Sequence, residues 1–353
     1  MDFNFTEDQE ALKGLVKRIF KDRVTPEALA AVEAESRWDA GLWAELAKSE
    51  ILGLSLPTEM GGSGLGFVET CLVLEQAGRR VAPLPLWSTL VVGADTLARL
   101  ADDTVQKAWL PGVAQGKTLL TGTIAGQGGY TADDGPEGWC LSGQAGCVPM
   151  APFASGMVTA TAEGVFIVDL NTEGVSSVDQ EGTDGMPLGE VELEEVGCTR
   201  IADADAWAGV LTRAEIGLAA LLLGVAGEAL ILTARYTTER HQFERPIATF
   251  QAVSQRVADA YVDVETMRVS LWRAAWLLDH GEPAVNEGLV AKLYALDGAH
   301  RVVNAAQHLH GGMGFVRDYP LHRYFLMAKQ LEFLMGGAAS TATRLGARLA
   351  AES

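Results

Sequence analysis

Positive charge is scarce in this chain. Lysine and arginine number 27 against 46 aspartates and glutamates, a formal net charge of −19. Nucleic acid and anionic membrane would both be repelled at long range, which argues against either as a partner. Cysteine is sparse too. Cys71, Cys140, Cys147 and Cys198 form no CxxC pair and have no histidine nearby at metal spacing, so neither a metal site nor a disulfide framework is expected. They read as buried, reduced thiols of a cytoplasmic protein. A basic-then-apolar leader is missing: "MDFNFTEDQEALKGL" is acidic from its second residue. The most apolar stretch, Ile216 to Gly227, stops at Glu228 and reads as too short to cross a bilayer. What is present is the balance of a soluble globular protein, 48% hydrophobic and 21% charged. At 353 residues the chain exceeds one small core and predicts two or three layers or subdomains.

Three textures follow one another. Residues 1–118 read as helices: Thr6 and Gln9 form a capping-box pattern before an apolar face of Leu12, Leu15, Val16 and Ile19. Pro26 can open a second helix and "LWAELAKSE" a third; "PTEMGGSGLGF" (57–67) is a glycine-rich loop before helical spacing resumes. Residues 119–205 turn glycine-rich and β-branched, the texture of a β domain, with fifteen acidic residues against one basic residue, Arg200. That excess reads as a solvated acidic surface. Residues 206–353 return to helices, starting with 34 residues without proline whose apolar middle predicts burial on most sides. Val253, Val257, Tyr261, Val264, Met267, Leu271, Ala274 and Leu278 then form the stripe of a bundle helix, which Gly281 ends. Pro283 opens the next, running to Gly311, and a last helical stretch begins near Pro320 and breaks at Gly336-Gly337. The expected class is α+β: an N-terminal helical domain, a middle β domain and a C-terminal four-helix bundle. The helices at 206–240 and 249–280 carry more aliphatic surface than one bundle buries, which predicts an extensive apolar interface.

"RHQFERPIATFQ" (240–251) interrupts this helical region with two arginines, a proline and two phenylalanines. In so acidic a chain it calls for an anion, although Arg240 could instead pair with Glu239 or Glu244. Together with "HLHGGMGF" (308–315), "FTEDQE" (5–10) and "PTEMGGSG" (57–64), this loop resembles the acyl-CoA dehydrogenase family over essentially the whole chain. The two stronger motifs lie 71 residues apart between Arg240 and Gly311.

The resemblance implies flavin adenine dinucleotide, with Arg240 meeting its pyrophosphate, Phe243 and Phe250 packing near the adenine half, and Gln251 and Gln307 available for hydrogen bonds. Gly311, Gly312 and Gly314 would let backbone N–H groups approach the cofactor, unless that run is only a helix stop. In relatives this surface completes the flavin site of a neighbouring subunit. His308 stands where the family has glutamine, and Glu244 where it has glycine after phenylalanine.

The family reaction takes a proton from the carbon alpha to a thioester while hydride leaves the beta carbon. It needs a carboxylate base. "FLMGGAAS" places Gly336 at the usual glutamate position, so no catalytic residue is expected there. A base used by some relatives, counted back from Arg240, falls on Ala214; Glu215 is one residue late and reads better as a favourable acid in the first turns of a helix. The family's flavin-holding "T-E-P-x-A-G-S-D" is replaced by "TGTIAGQGGYTADD" (121–134), which keeps only Thr121 and Thr123 as contacts. A degraded pocket beside an intact neighbour-facing surface resembles the base-less subunit of heterotetrameric bacterial steroid side-chain acyl-CoA dehydrogenases. That implies an acyl-CoA substrate, a longer acyl-CoA dehydrogenase paralogue as partner, and two copies of each chain. The alternatives are an active homotetramer with Glu215 or Glu332 as base, and a flavin-free helical scaffold.

Overall fold

Thr6 opens the first helix reciprocally: its hydroxyl accepts the Gln9 N–H and the Gln9 side chain accepts the Thr6 N–H. This is the capping box read from the sequence. A computed structural model describes residues 4–35, 37–124, 128–136 and 138–352. It begins with helices α1 (Glu7–Arg23), α2 (Pro26–Ala34), α3 (Ala40–Lys48) and α4 (Phe67–Arg79). A π-helical segment (Trp87–Asp95) runs into α5 (Thr96–Leu100), and α6 (Asp103–Ala114) follows. The strands are β1 (Leu120–Gly122), β2 (Gly128–Gly135), β3 (Gly138–Pro149), β4 (Gly156–Thr161), β5 (Gly164–Asp169), β6 (Val175–Glu181) and β7 (Pro187–Ala202). After α7 (Trp207–Glu239) come β8 (His241–Gln242) and β9 (Arg245–Pro246), then α8 (Gln251–Asp279), α9 (Val285–His310), α10 (Leu321–Leu334) and α11 (Gly337–Glu352). Helix, sheet, helix is the expected α+β order.

Contacts divide the chain into two compact units: Met1–Ala30, Cys71–Ala82 and Glu215–Ser353 in one, Ala31–Thr70 and Pro83–Ala214 in the other. In the second, the strand order is β1-β4-β5-β7-β3-β2, with β6 also on β7. The 16-residue β7 is its spine, and β1–β4 is parallel where the other pairs are antiparallel. Alternate inward residues, among them Leu141, Phe166, Val168, Val191 and Leu193, form its core. The π-helical segment is buried throughout. Its Trp87 indole donates to the Ala214 carbonyl at 2.8 Å, and the Thr89 hydroxyl to that of Leu120 at 2.9 Å.

In the first unit α1 docks through Phe5, whose ring meets Trp272 edge-on at 4.9 Å. Helices α4 and α7 cross at paired glycines. A Cβ on Gly78 would lie 2.2 Å from the Leu221 carbonyl oxygen, and one on Gly224 2.1 Å from that of Glu75. Those neighbours are backbone and cannot rotate away. Gly224→Ala is therefore expected to force the helices apart and cost about 3 kcal/mol, read as a lower denaturation midpoint. An unchanged midpoint would contradict so close a crossing.

Three sequence expectations need correction. The apolar stretch that ends at Glu228 lies inside a longer helix, α7, which runs to Glu239 as the 34 residues without proline predict. Arg79 of α4 lies 3.8 Å from the Glu228 carboxylate. By length and composition α7 is apolar enough to cross a bilayer, but 83% of its most apolar window is buried inside the protein. Most of the exposed aliphatic surface belongs to α8 rather than α7, which exposes Ile231: Tyr261, Val262 and Val269 are exposed and, with Tyr294, Leu345 and Leu349, line a groove of about 810 Å³. Of the cysteines only Cys71 is buried; Cys140, Cys147 and Cys198 are half-buried because they lie on β3 and β7, outside the helical core. The last helical stretch breaks at Gly336 and Gly337 as expected, into α10 and α11, and these glycines have φ angles of +84° and +72°.

Candidate functional site

Arg240 is the first residue beyond α7, its N–H donating to the Tyr236 carbonyl at 2.8 Å. A cation there complements the helix dipole. The chain then reverses through the β8–β9 hairpin, whose two-residue turn places Phe243 and Glu244 at φ +52° and +64°. Both are left-handed, as a tight hairpin of this length requires. Glycine would occupy the second position without the steric cost that Glu244 carries there. The Ile247 N–H closes the loop on the Arg240 carbonyl at 2.8 Å.

The Arg240 side chain is exposed, and among the described residues it forms no ion pair. Neither Glu239 nor Glu244 neutralises it, so the pairing that would have made it an ordinary surface arginine is not formed. Phe243 stands 87% exposed at the hairpin tip, touching Phe250 edge-on at 6.1 Å. The Arg245 guanidinium covers the Phe250 ring at 4.2 Å. Gln251, exposed, begins α8.

The second motif ends α9. Gly311, at φ +57° and ψ −133°, stops the helix, so the run is a helix stop as well as a loop. Cβ atoms on Gly311 or Gly312 would meet nothing within 4 Å, and their backbone is open to a ligand. Gly314 is different. It is buried, and a Cβ there would lie 2.9 Å from the Gln307 amide nitrogen. Its missing side chain makes room for Gln307. The Gln307 side-chain oxygen is buried with no hydrogen-bond partner among the described residues. His308 is exposed, and its Nδ1 meets the Arg256 guanidinium.

Three residues not singled out as site residues join the two loops, although His310 lies within the second motif. Tyr236, one turn before Arg240, stacks on His310 with ring centres 4.3 Å apart, and its hydroxyl donates to the His310 carbonyl at 3.3 Å. His310 Nδ1 donates to the Ala306 carbonyl at 2.8 Å, leaving Nε2 to accept from the Tyr319 hydroxyl at 3.0 Å. Burial pulls the His310 pKa below its usual value of 6.5, although the bond to Ala306 pulls the other way. The folded state thus favours neutral imidazole. Stability from this group is present above pH 6.5 and is lost as pH falls through the lower folded pKa. His310→Gln is expected to flatten the acid side of the melting-temperature profile below about pH 6.5. An unaltered slope would show that His310 does not titrate on unfolding.

The base position is built quite differently. Gly336 follows α10, and its neighbour Met335 gives its carbonyl to the Lys292 ammonium at 2.8 Å. Lys292 also donates to Glu215 at 3.2 Å, and Arg344 of α11 meets the same carboxylate oxygen at 2.5 Å. Glu215 is therefore not a first-turn acid. It is the ninth residue of α7, 1% exposed, inside a cluster of one anion and two cations. Burial lowers the Lys292 pKa against the opposing pull of Glu215. A lysine in the apolar stretch "GLVAKLYAL" was the one local hint of this cluster. Glu332 is half-buried, with Lys329 at 2.8 Å and His300 at 3.3 Å. Burial raises its pKa, but those hydrogen bonds outweigh it and hold the carboxyl below its ordinary value.

In the β domain, the Thr121 hydroxyl donates to the Pro149 carbonyl at 2.5 Å, and Thr123 shares a hydrogen bond of 2.6 Å with Thr159. Both hydroxyls thus have a hydrogen-bond partner within the β domain. Residues 125–127 of the divergent segment lie outside the described residues.

Two family models match this chain: "Acyl-CoA dehydrogenase, N-terminal domain" over residues 6–117 and "Acyl-CoA dehydrogenase, C-terminal domain" over residues 206–350. Acyl-CoA dehydrogenase FadE27 of Mycobacterium tuberculosis is 34% identical, covering 99% of each chain. Among solved structures, a variant of the Tcur3481–Tcur3483 steroid ACAD is 41% identical with a TM-score of 0.94, covering 98% of each chain. The ChsE4–ChsE5 complex of Mycobacterium tuberculosis is 34% identical with a TM-score of 0.94, covering 99% of each.

Proposed function

Because this chain belongs to the acyl-CoA dehydrogenase family, we propose that it is the non-catalytic subunit of a heteromeric enzyme that desaturates CoA thioesters at the α,β position. One contrast carries the reading. Arg240 stands exposed with no carboxylate of the described residues on it, while Glu215, the carboxylate nearest a base position, is sealed against Lys292 and Arg344. The surface suited to an anion is open, and the group suited to take a proton is already paired. Glu332, held below its ordinary pKa, is a poor base as well, and neither acid favours the homotetramer with a relocated base. An unpaired arginine also argues against a flavin-free scaffold in which that residue meets only carboxylates.

Arg240 would hold the pyrophosphate of flavin adenine dinucleotide bound mainly by the partner, by charge-assisted hydrogen bonds. The residues present fit that group. Phe243 offers an exposed ring, Gly311 and Gly312 offer open backbone, and Gln307 carries a side-chain oxygen that still lacks a donor. Bound flavin would supply the hydride acceptor. The Tyr236–His310–Tyr319 cluster would keep the two loops in register. Bulky steroid side-chain thioesters are the substrate class supported by the 41% identity to a protein described as a steroid ACAD. A longer acyl-CoA dehydrogenase paralogue, in a heterotetramer with two copies of each chain, fits the likeness to the ChsE4–ChsE5 complex. The exposed apolar face of α8 offers surface for such assembly.

Native mass spectrometry after co-expression with acyl-CoA dehydrogenase paralogues tests the assembly. One paralogue is expected to give a complex with two copies of each chain. A stable, flavin-loaded assembly of this chain alone, with no paralogue exchanging into it, would reject the reading.

A further inference from the structure

Helix α11 is poorly anchored by apolar contact. Over its 16 residues only Thr341 is buried, while Leu349 is 51% exposed. It begins at Gly336 and Gly337, two left-handed glycines that act as a joint between α10 and α11. Its outer end is tied by exposed polar bonds, from Arg348 to Asn286 and from Asn286 to Glu352. Burial of so little apolar surface does not by itself hold a helix of this length in place.

The buried charges act where that helix begins. Lys292 and Arg344 both bind the same oxygen of Glu215, and the other carboxylate oxygen is buried with no partner among the described residues. The anion therefore depends wholly on these two cations. Lys292 reaches in addition to the Met335 carbonyl, immediately before the glycine joint. A buried ion loses heavily when one partner is removed, because the remaining charge stays desolvated.

We infer that Glu215, Lys292 and Arg344 form a clamp that seats α11 and fixes the 335–337 turn, making them positioning residues rather than acid–base groups. Leu345 and Leu349 of α11 form one wall of the apolar groove whose other walls are α8 and α9. The clamp therefore sets the width of that groove. The inference concerns atoms of this chain alone and stands whether or not the chain is the non-catalytic subunit.

Hydrogen exchange on the protein, free and in its complex, tests it. Arg344 is 46% exposed, so Arg344→Gln leaves the fold intact while opening the clamp. Exchange over 341–352 is expected to rise about tenfold, with α7 and α9 unchanged, and Arg344→Lys should restore most of the protection. Lys292→Met should extend the loosening to 335–337. Unchanged exchange in α11, or an equal rise across the whole bundle, overturns the clamp. Turnover is read on the same samples. If Glu215→Gln abolishes it while α11 exchange stays at the parental rate, Glu215 is a base; both the clamp and the non-catalytic reading then fail. If α11 exchange stays at the parental rate in every variant while turnover is kept, only the clamp fails.

Discussion

Glu332→Gln and Glu215→Gln in the assembled complex are expected to leave turnover per bound flavin within about threefold of the parent. Replacing the partner's catalytic carboxylate should lower it by a factor of about 100 to 10,000, the usual contribution of a positioned general base. The reasons differ for each acid. Glu332 already accepts from Lys329 and His300, and those bonds hold it ionised. Glu215 is 1% exposed and paired with Lys292 and Arg344, so its carboxylate is not open to a substrate carbon. Gly336 contributes nothing in their place, since it carries no side chain and its left-handed backbone disfavours any residue that would. Turnover is counted per bound flavin because loosening of α11 could lower the amount of intact complex.

The second large effect falls on cofactor retention. Arg240→Ala in the complex should weaken flavin binding by a factor of about 10 to 100, as expected for loss of a charge-assisted bond to phosphate. The measurement is a flavin-release titration by fluorescence. Arg240→Lys should recover only part of the loss, because a single ammonium cannot reproduce the fork geometry of a guanidinium. Flavin occupancy unchanged by Arg240→Ala would show that the open guanidinium serves another anion. Arg245 is the internal control. It is committed to the Phe250 ring, and its removal should act on loop order before it acts on affinity.

Features written in a few consecutive residues were legible before the structure. The Thr6–Gln9 cap, the glycine stops at Gly281 and Gly311, and the arginine loop at the end of α7 are all of this kind. Each depends on local backbone geometry, which short patterns encode. Features made by distant residues were not legible. Lys292 and Arg344 reach Glu215 across 77 and 129 positions of sequence, and no spacing rule joins them. The same separation hid the stacking of Tyr236 on His310, 74 positions apart. Nor did any pattern join Glu228 to Arg79, which lies on α4. The motif marked Gly314 but not the Gln307 side chain that fills the space its missing Cβ leaves. Periodicity marked the stripe on α8 but not which stretch of it is covered: Val264, Met267 and Leu271 are buried, and Tyr261 is exposed.

Purification of this chain alone and together with a longer acyl-CoA dehydrogenase paralogue, followed by the flavin absorbance spectrum and acyl-CoA turnover of both samples, separates a contributing subunit from a complete enzyme. The chain alone is expected to be colourless and inactive, and the complex yellow and active, with loss of the partner's base abolishing turnover. A yellow preparation of this chain alone that dehydrogenates an acyl-CoA thioester would contradict it.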